Sequence, residues 1–204
     1  MSQVIGRGSI ILSFAVVAAS MMAVAEDTPV RVRGTLERMD GDICVIKARG
    51  GDTLQVKLAD KPMVVALTKA SLADIKPGSY VGVSGMPQAD GSQKALEVHI
   101  FPESMRGAGD GHRPWDLQPS STMTNGSVAR SGASSEGEVL NLKYKDGEKK
   151  IVVPSDAPIV AYTPTDKSEL RPGARVFIAA ATKQPDGTLQ ASRINVGRGV
   201  NPPM

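Results

Sequence analysis

Asp60-Lys61-Pro62-Met63-Val64 and Asp156-Ala157-Pro158-Ile159-Val160 are one phrase written twice. Lys76-Pro77-Gly78 returns in the same way as Arg171-Pro172-Gly173, and Asp90-Gly91 as Asp186-Gly187. The offsets are 96, 95 and 96 residues. Three turn signals in one order at one spacing mark an internal duplication.

Each copy reads as β-structure. In the first, residues 30–39 and 43–48 are short apolar runs around the turn Asp40-Gly41-Asp42. Thr53-Leu54-Gln55-Val56-Lys57-Leu58 alternates apolar and polar residues, as a half-buried strand does. Residues 63–67 form another apolar run, and Ser71-Leu72-Ala73-Asp74-Ile75 fits one helical turn closed by Pro77-Gly78. Residues 80–84 and 95–101 complete the set, and residues 138–196 repeat the plan. Three strands, a helical turn and two strands in about 70 residues is the order of an OB-type barrel. The sequence therefore predicts an all-β protein: two tandem OB-like five-stranded barrels, over 26–102 and 127–200, joined by a long ordered loop at 103–126. A barrel of that size without disulfides has a thin core, so the copies are expected to pack on one another.

Composition narrows the function. The chain has 204 residues and a single cysteine, which excludes an internal disulfide framework and a multi-cysteine zinc site. A formal charge of +3 with 3% aromatic residues gives no footprint for nucleic acid. Cys44, inside Ile43-Cys44-Val45-Ile46, reads as a small buried hydrophobe. Residues 1–25 read as a secretory signal peptide: Arg7, then an apolar run over 10–22, then Ala23-Val24-Ala25 before the polar Glu26-Asp27. That run is shorter than the roughly 20 residues a membrane span needs. The expectation is an exported, soluble periplasmic protein with no integral membrane segment after cleavage.

Chemistry is sparse. Gly-x-Ser-x-Gly and His-Glu-x-x-His do not occur, and only His99 and His112 offer imidazole. An enzyme is not expected. His99 alternates with Val98 and Ile100 and is expected to point to solvent or into the domain interface. The 103–126 segment carries the one tryptophan, Trp115, expected to anchor it across both barrels. With Met105, His112 and Met123, Trp115 forms the one constellation with a chemical rationale, because thioether and imidazole suit Cu(I) and an aromatic face shields a cation. This resembles the small periplasmic copper and silver chaperones, which use Met, His and Trp on an OB-like barrel.

A wider resemblance rests on Gly34-Thr35-Leu36-Glu37, Lys76-Pro77-Gly78, and the Asp90-Gly91 turn before Ala95 and Val98. The strings from Phe101 to Gly107 and His112-Arg113-Pro114-Trp115-Asp116 add to it. Together they resemble an uncharacterised family of exported bacterial proteins with tandem OB-like domains. The resemblance implies a fold and a compartment and no activity. The function expected is a non-catalytic periplasmic binding protein that recognises an envelope protein or other periplasmic ligand through barrel faces or edge strands, with no required cofactor. The alternative is copper or silver binding through Met105, His112 and Met123.

Overall fold

The computed structural model describes residues 29–202. The signal peptide expected at 1–25 lies outside the described residues. Twelve strands run in chain order: β1 (Val30–Asp40), β2 (Ile43–Ala48), β3 (Thr53–Lys69), β4 (Tyr80–Pro87), β5 (Gln93–Phe101) and β6 (Gly111–Pro114) come first. The others are β7 (Thr122–Ser134), β8 (Gly137–Tyr144), β9 (Gly147–Val153), β10 (Ile159–Thr165), β11 (Arg175–Lys183) and β12 (Leu189–Gly197). The only helical pieces among the described residues are single 3-10 turns at Leu72–Asp74, Glu103–Met105 and Lys167–Glu169. Among these residues no helix is long and apolar enough to cross a membrane.

The strands close into a five-stranded barrel. β1 pairs antiparallel with β2 and β11, β2 with β3, and β11 with β12. A parallel ladder between β3 and β12, from Leu189↔Val56 to Gly197↔Leu67, completes the ring. Alternation in β3 sends Val56 and Leu58 inward and leaves Gln55 and Lys57 exposed. With Val32, Leu36, Ile46, Ile178 and Ile194 they form one apolar core, and Cys44 is fully buried in it. Gly34 is required here. A Cβ at that position would collide with the carbonyl oxygen of Lys47.

A second ring follows the same plan. β4 pairs with β5 and β7, β7 with β8, and β8 with β9. A short parallel contact, Gln93↔Ile151 and Lys94↔Val152, joins β5 to β9. Val83, Val98, Val128, Leu140, Leu142 and Ile151 fill its interior.

The rings do not follow the two halves of the chain. The boundaries expected at 26–102 and 127–200 would place β1 to β5 in one barrel and β8 to β12 in the other. Instead the first ring takes β1, β2 and β3 from the first half of the chain and β11 and β12 from the second. The second takes β7, β8 and β9 with β4 and β5. The cause is the length of β3. Its 17 residues reach about 55 Å at 3.3 Å per residue, more than one small barrel needs. Beyond Met63 the strand keeps β12 on one side and takes β10 on the other, which carries the chain to the second ring, where β4 starts. That contact is two-fold in pattern. Val64 faces Thr165 and Val160 faces Lys69, each residue being 96 positions from its counterpart.

The 103–126 segment is not a loop throughout. It holds the Glu103–Met105 turn and β6, and β7 already begins at Thr122. The start of β7 escaped the sequence because Thr122-Met123-Thr124-Asn125-Gly126 reads as punctuation. In the fold Thr124 and Asn125 are buried, and β6 pairs beside them.

Candidate functional site

A pocket of about 180 Å³ lies where the outer faces of the two rings meet. From the second ring, β5 contributes His99 and Phe101, which alternate with the core residue Val98 and so point away from that ring's interior. From the first ring, β12 contributes Arg193 and Asn195 on the same outward alternation around Ile194, and β11 contributes Phe177 and Ala179. Tyr162 arrives on β10, the strand between the rings. The 103–126 segment roofs the space with Ala108, Gly109, Arg113 and Trp115, while Met123 and Asn125 enter from β7.

Aromatic rings form the walls. Tyr162 stacks on His99 with centroids 5.6 Å apart, and meets Phe101 edge-on at 4.8 Å. Trp115 meets Phe177 edge-on at 6.5 Å. Each of the two arginines in the lining lies over a ring. Arg193 is 5.5 Å from the Tyr162 centroid and Arg113 is 5.6 Å from that of Trp115. Neither has a carboxylate within ion-pair distance among the described residues, and no carboxylate lines the pocket. Burial works against both charges and lowers their pKa values. Arg31 adds like-charge repulsion at Arg113. Arg113 donates through Nη1 to the Gly109 carbonyl at 2.7 Å, and Arg193 through Nε to Asn195 Oδ1 at 3.2 Å.

Just outside the pocket one carboxylate answers two arginines. Asp116 accepts from Arg33 Nη2 at 2.8 Å and Nη1 at 3.1 Å, and lies 3.4 Å from Arg31. Arg31 in turn covers Trp115, its guanidinium carbon 4.1 Å from the ring centroid. Burial raises the Asp116 carboxyl, but the hydrogen bonds and charge of Arg33 outweigh it and hold the pKa below the ordinary value. Trp115 is thus fixed against the first ring, while β6 just before it hydrogen-bonds to the second.

The walls also hold polar atoms with no partner. His99 Nε2, Trp115 Nε1 and Asn125 Oδ1 are buried and make no hydrogen bond. His99 Nε2 does lie 3.5 Å from Glu97 Oε1, a close contact without hydrogen-bond geometry. Each such group costs about 1–3 kcal/mol, so three around one small pocket mark a place where packing has not been optimised for stability alone.

The residues singled out for metal are not brought together by these contacts. Met105 is buried in a cluster with Val65, Leu67, Val160 and Tyr162 beneath the β3–β10 contact. Met123 lines the pocket opposite Arg113, whereas His112 faces Thr124 on the other side of the β6–β7 ladder. Its Nδ1 lies 2.7 Å from Thr124 Oγ1, which itself donates to Gln93 Oε1 at 2.8 Å. The hydroxyl hydrogen is therefore committed, and His112 is the donor through Nδ1. Burial lowers the His112 pKa, helped by the charges of Lys149 and Arg113. No group of three or more His, Cys, Asp or Glu residues is placed to hold a metal among the described residues. Of the four candidates, Trp115 and Met123 share the pocket.

Sequence reasoning passed over Arg113, Arg193, Tyr162 and Asn195. A comparison of the repeats contains the signal. Glu97 and His99 correspond at the 96-residue offset to Arg193 and Asn195, polar outward positions on what reads as an ordinary last strand. No family model, curated protein or solved structure matches this chain.

Proposed function

We propose that this chain is a non-catalytic binding protein of the periplasm, and that it takes a small anion-bearing envelope ligand in the pocket between the rings. The reading of the rings as a pair of OB-like units belongs to the same proposal. Their strand order, with one parallel contact closing each ring, is what supports it. One observation carries the functional reading. Arg113 and Arg193 are partly buried over aromatic faces with no carboxylate to answer them. Desolvating a cation without a partner is costly, and an anionic ligand supplies the missing charge. Binding pockets of this kind combine apolar walls with a few convergent polar groups.

Closure of the rings favours the pocket over edge strands as the binding element. Every strand of each ring is hydrogen-bonded on both sides, which leaves little backbone for β-addition. The test is a thermal-shift survey of small carboxylates, phosphates and sulfonates on the full chain and on two variants, Arg113→Gln and pocket-filling Ala179→Phe. Stabilisation of the parent that disappears in both variants supports the proposal. Stabilisation that survives in both, or none from any anion, contradicts it.

A further inference from the structure

We infer that the ligand of this pocket is a planar, conjugated carboxylate of about one ring, held by its carboxylate on the open fork of Arg193. This rests on the pocket being a ligand site, and adds the chemical class. The two terminal nitrogens of Arg193 make no hydrogen bond within the protein, since its one bond leaves from Nε to Asn195. They are also absent from the buried polar atoms without a partner, so solvent or a ligand reaches them. An arginine in this state presents two parallel N–H donors, the geometry that matches one carboxylate bidentately.

The setting of the guanidinium decides what is attached to that carboxylate. Arg193 lies over Tyr162, with its carbon 5.5 Å from the ring centroid. A carboxylate received edge-on continues the plane of the guanidinium. When the carboxylate is conjugated to a ring, that ring lies in the same plane and is presented to the aromatic lining. The lining there is aromatic: Tyr162 stacked with His99, and Trp115 edge-on to Phe177. An aliphatic acid of equal size is puckered and lacks a π-face to set against that lining. Aromatic rings attract one another through offset or edge contacts beyond simple burial.

Size and charge agree. At about 30 Å³ per water the pocket has room for about six, the bulk of a single substituted ring. Arg113, whose Nη1 is held by the Gly109 carbonyl, adds positive potential from the roof. No acid in the lining opposes the ligand's charge. Met123 supplies a polarizable thioether, which favours a ring face or edge.

The experiment titrates the full chain with three probes of similar size: benzoate, cyclohexanecarboxylate and benzamide. Binding is followed by calorimetry and by the fluorescence of Trp115, the only tryptophan. Benzoate is expected to bind saturably with a change in Trp115 emission, at least tenfold more tightly than either other probe. Arg193→Lys keeps the charge and loses the fork, and is expected to weaken benzoate at least tenfold. Arg193→Gln does the same if it folds, and Arg193→Lys serves if it does not. Equal binding of cyclohexanecarboxylate and benzoate overturns the planar class and leaves the anion site standing. Equal binding of benzamide overturns the role of the carboxylate, as does an unchanged affinity in Arg193→Lys. Failure of all three probes overturns the class, while the wider survey of anions with Ala179→Phe decides separately whether the pocket binds anything.

Discussion

Glu97 and Arg193, 96 residues apart in the chain, carry opposite charges toward one tyrosine. Glu97 pushes the Tyr162 phenol pKa up and Arg193 pulls it down, while burial, the largest influence, raises it. One strand of the seam thus brings an acid and the other a cation to the same phenol. Strand exchange is what brings both to the same seam. Had each repeat closed its own barrel, β5 and β12 would belong to the rings of their own halves.

Exchange is expected to make the rings unfold as one cooperative unit. Leu142 is fully buried in the second ring. Leu142→Ala is expected to cost about 2–5 kcal/mol, and Trp115, packed on the first ring, is expected to report the same denaturation midpoint as far-UV circular dichroism. Two separated transitions contradict the exchanged architecture.

Two glycines separate close approach from mere turn-forming. A Cβ on Gly34 runs into the Lys47 carbonyl, and one on Gly126 comes within 2.7 Å of the Lys143 carbonyl oxygen. Alanine at either site is expected to destabilise by about 1–3 kcal/mol. Gly132 on β7 has nothing within 4 Å of its Cβ, so Gly132→Ala is expected to stay within about 0.5 kcal/mol of the parent. Urea titrations of the three variants check the ranking.

Cys44 is fully buried, and loss of solvent pushes its thiol up to about 11 from an ordinary 9.0. Little thiolate exists at pH 8, and an aromatic disulfide reagent has no path to it. No reaction is expected in the native protein and stoichiometric reaction in denaturant. Rapid labelling of the native chain contradicts this burial.

The Asp116 clasp has an acid limit. Its folded pKa lies below the unfolded value of about 3.9, so its contribution is present above that pH and is lost as pH falls through the folded pKa. Asp116→Asn is expected to flatten the acid limb of stability measured below about pH 4, with loosening of Trp115 seen in its fluorescence. An acid limb identical to the parent's contradicts the clasp.

Much of the all-β character was legible from residue order. The alternation of residues 53–58 and the turns at Asp90-Gly91 and Asp186-Gly187 mark real strands and connections, because side-chain period and turn chemistry are local. Exchange was not legible. A repeat offset is the same whether β3 pairs with β12 or with its own copy's last strand, and only the unbroken run to Lys69 distinguishes them. The pocket was half legible. Trp115 stood out as a lone aromatic in a polar segment, whereas Arg193 and Asn195 look like any solvated strand face until the rings are assembled. Met105 drew attention for its thioether, yet in the fold it is a core side chain beside Leu67 and Tyr162.

The most direct test follows the indole N–H resonance of Trp115, a single signal, while benzoate and then acetate are added to the full chain. A saturable shift with at least one of these carboxylates, abolished in Ala179→Phe, is the predicted result. A signal that stays in place with both, or moves equally in Ala179→Phe, contradicts a carboxylate site between the rings.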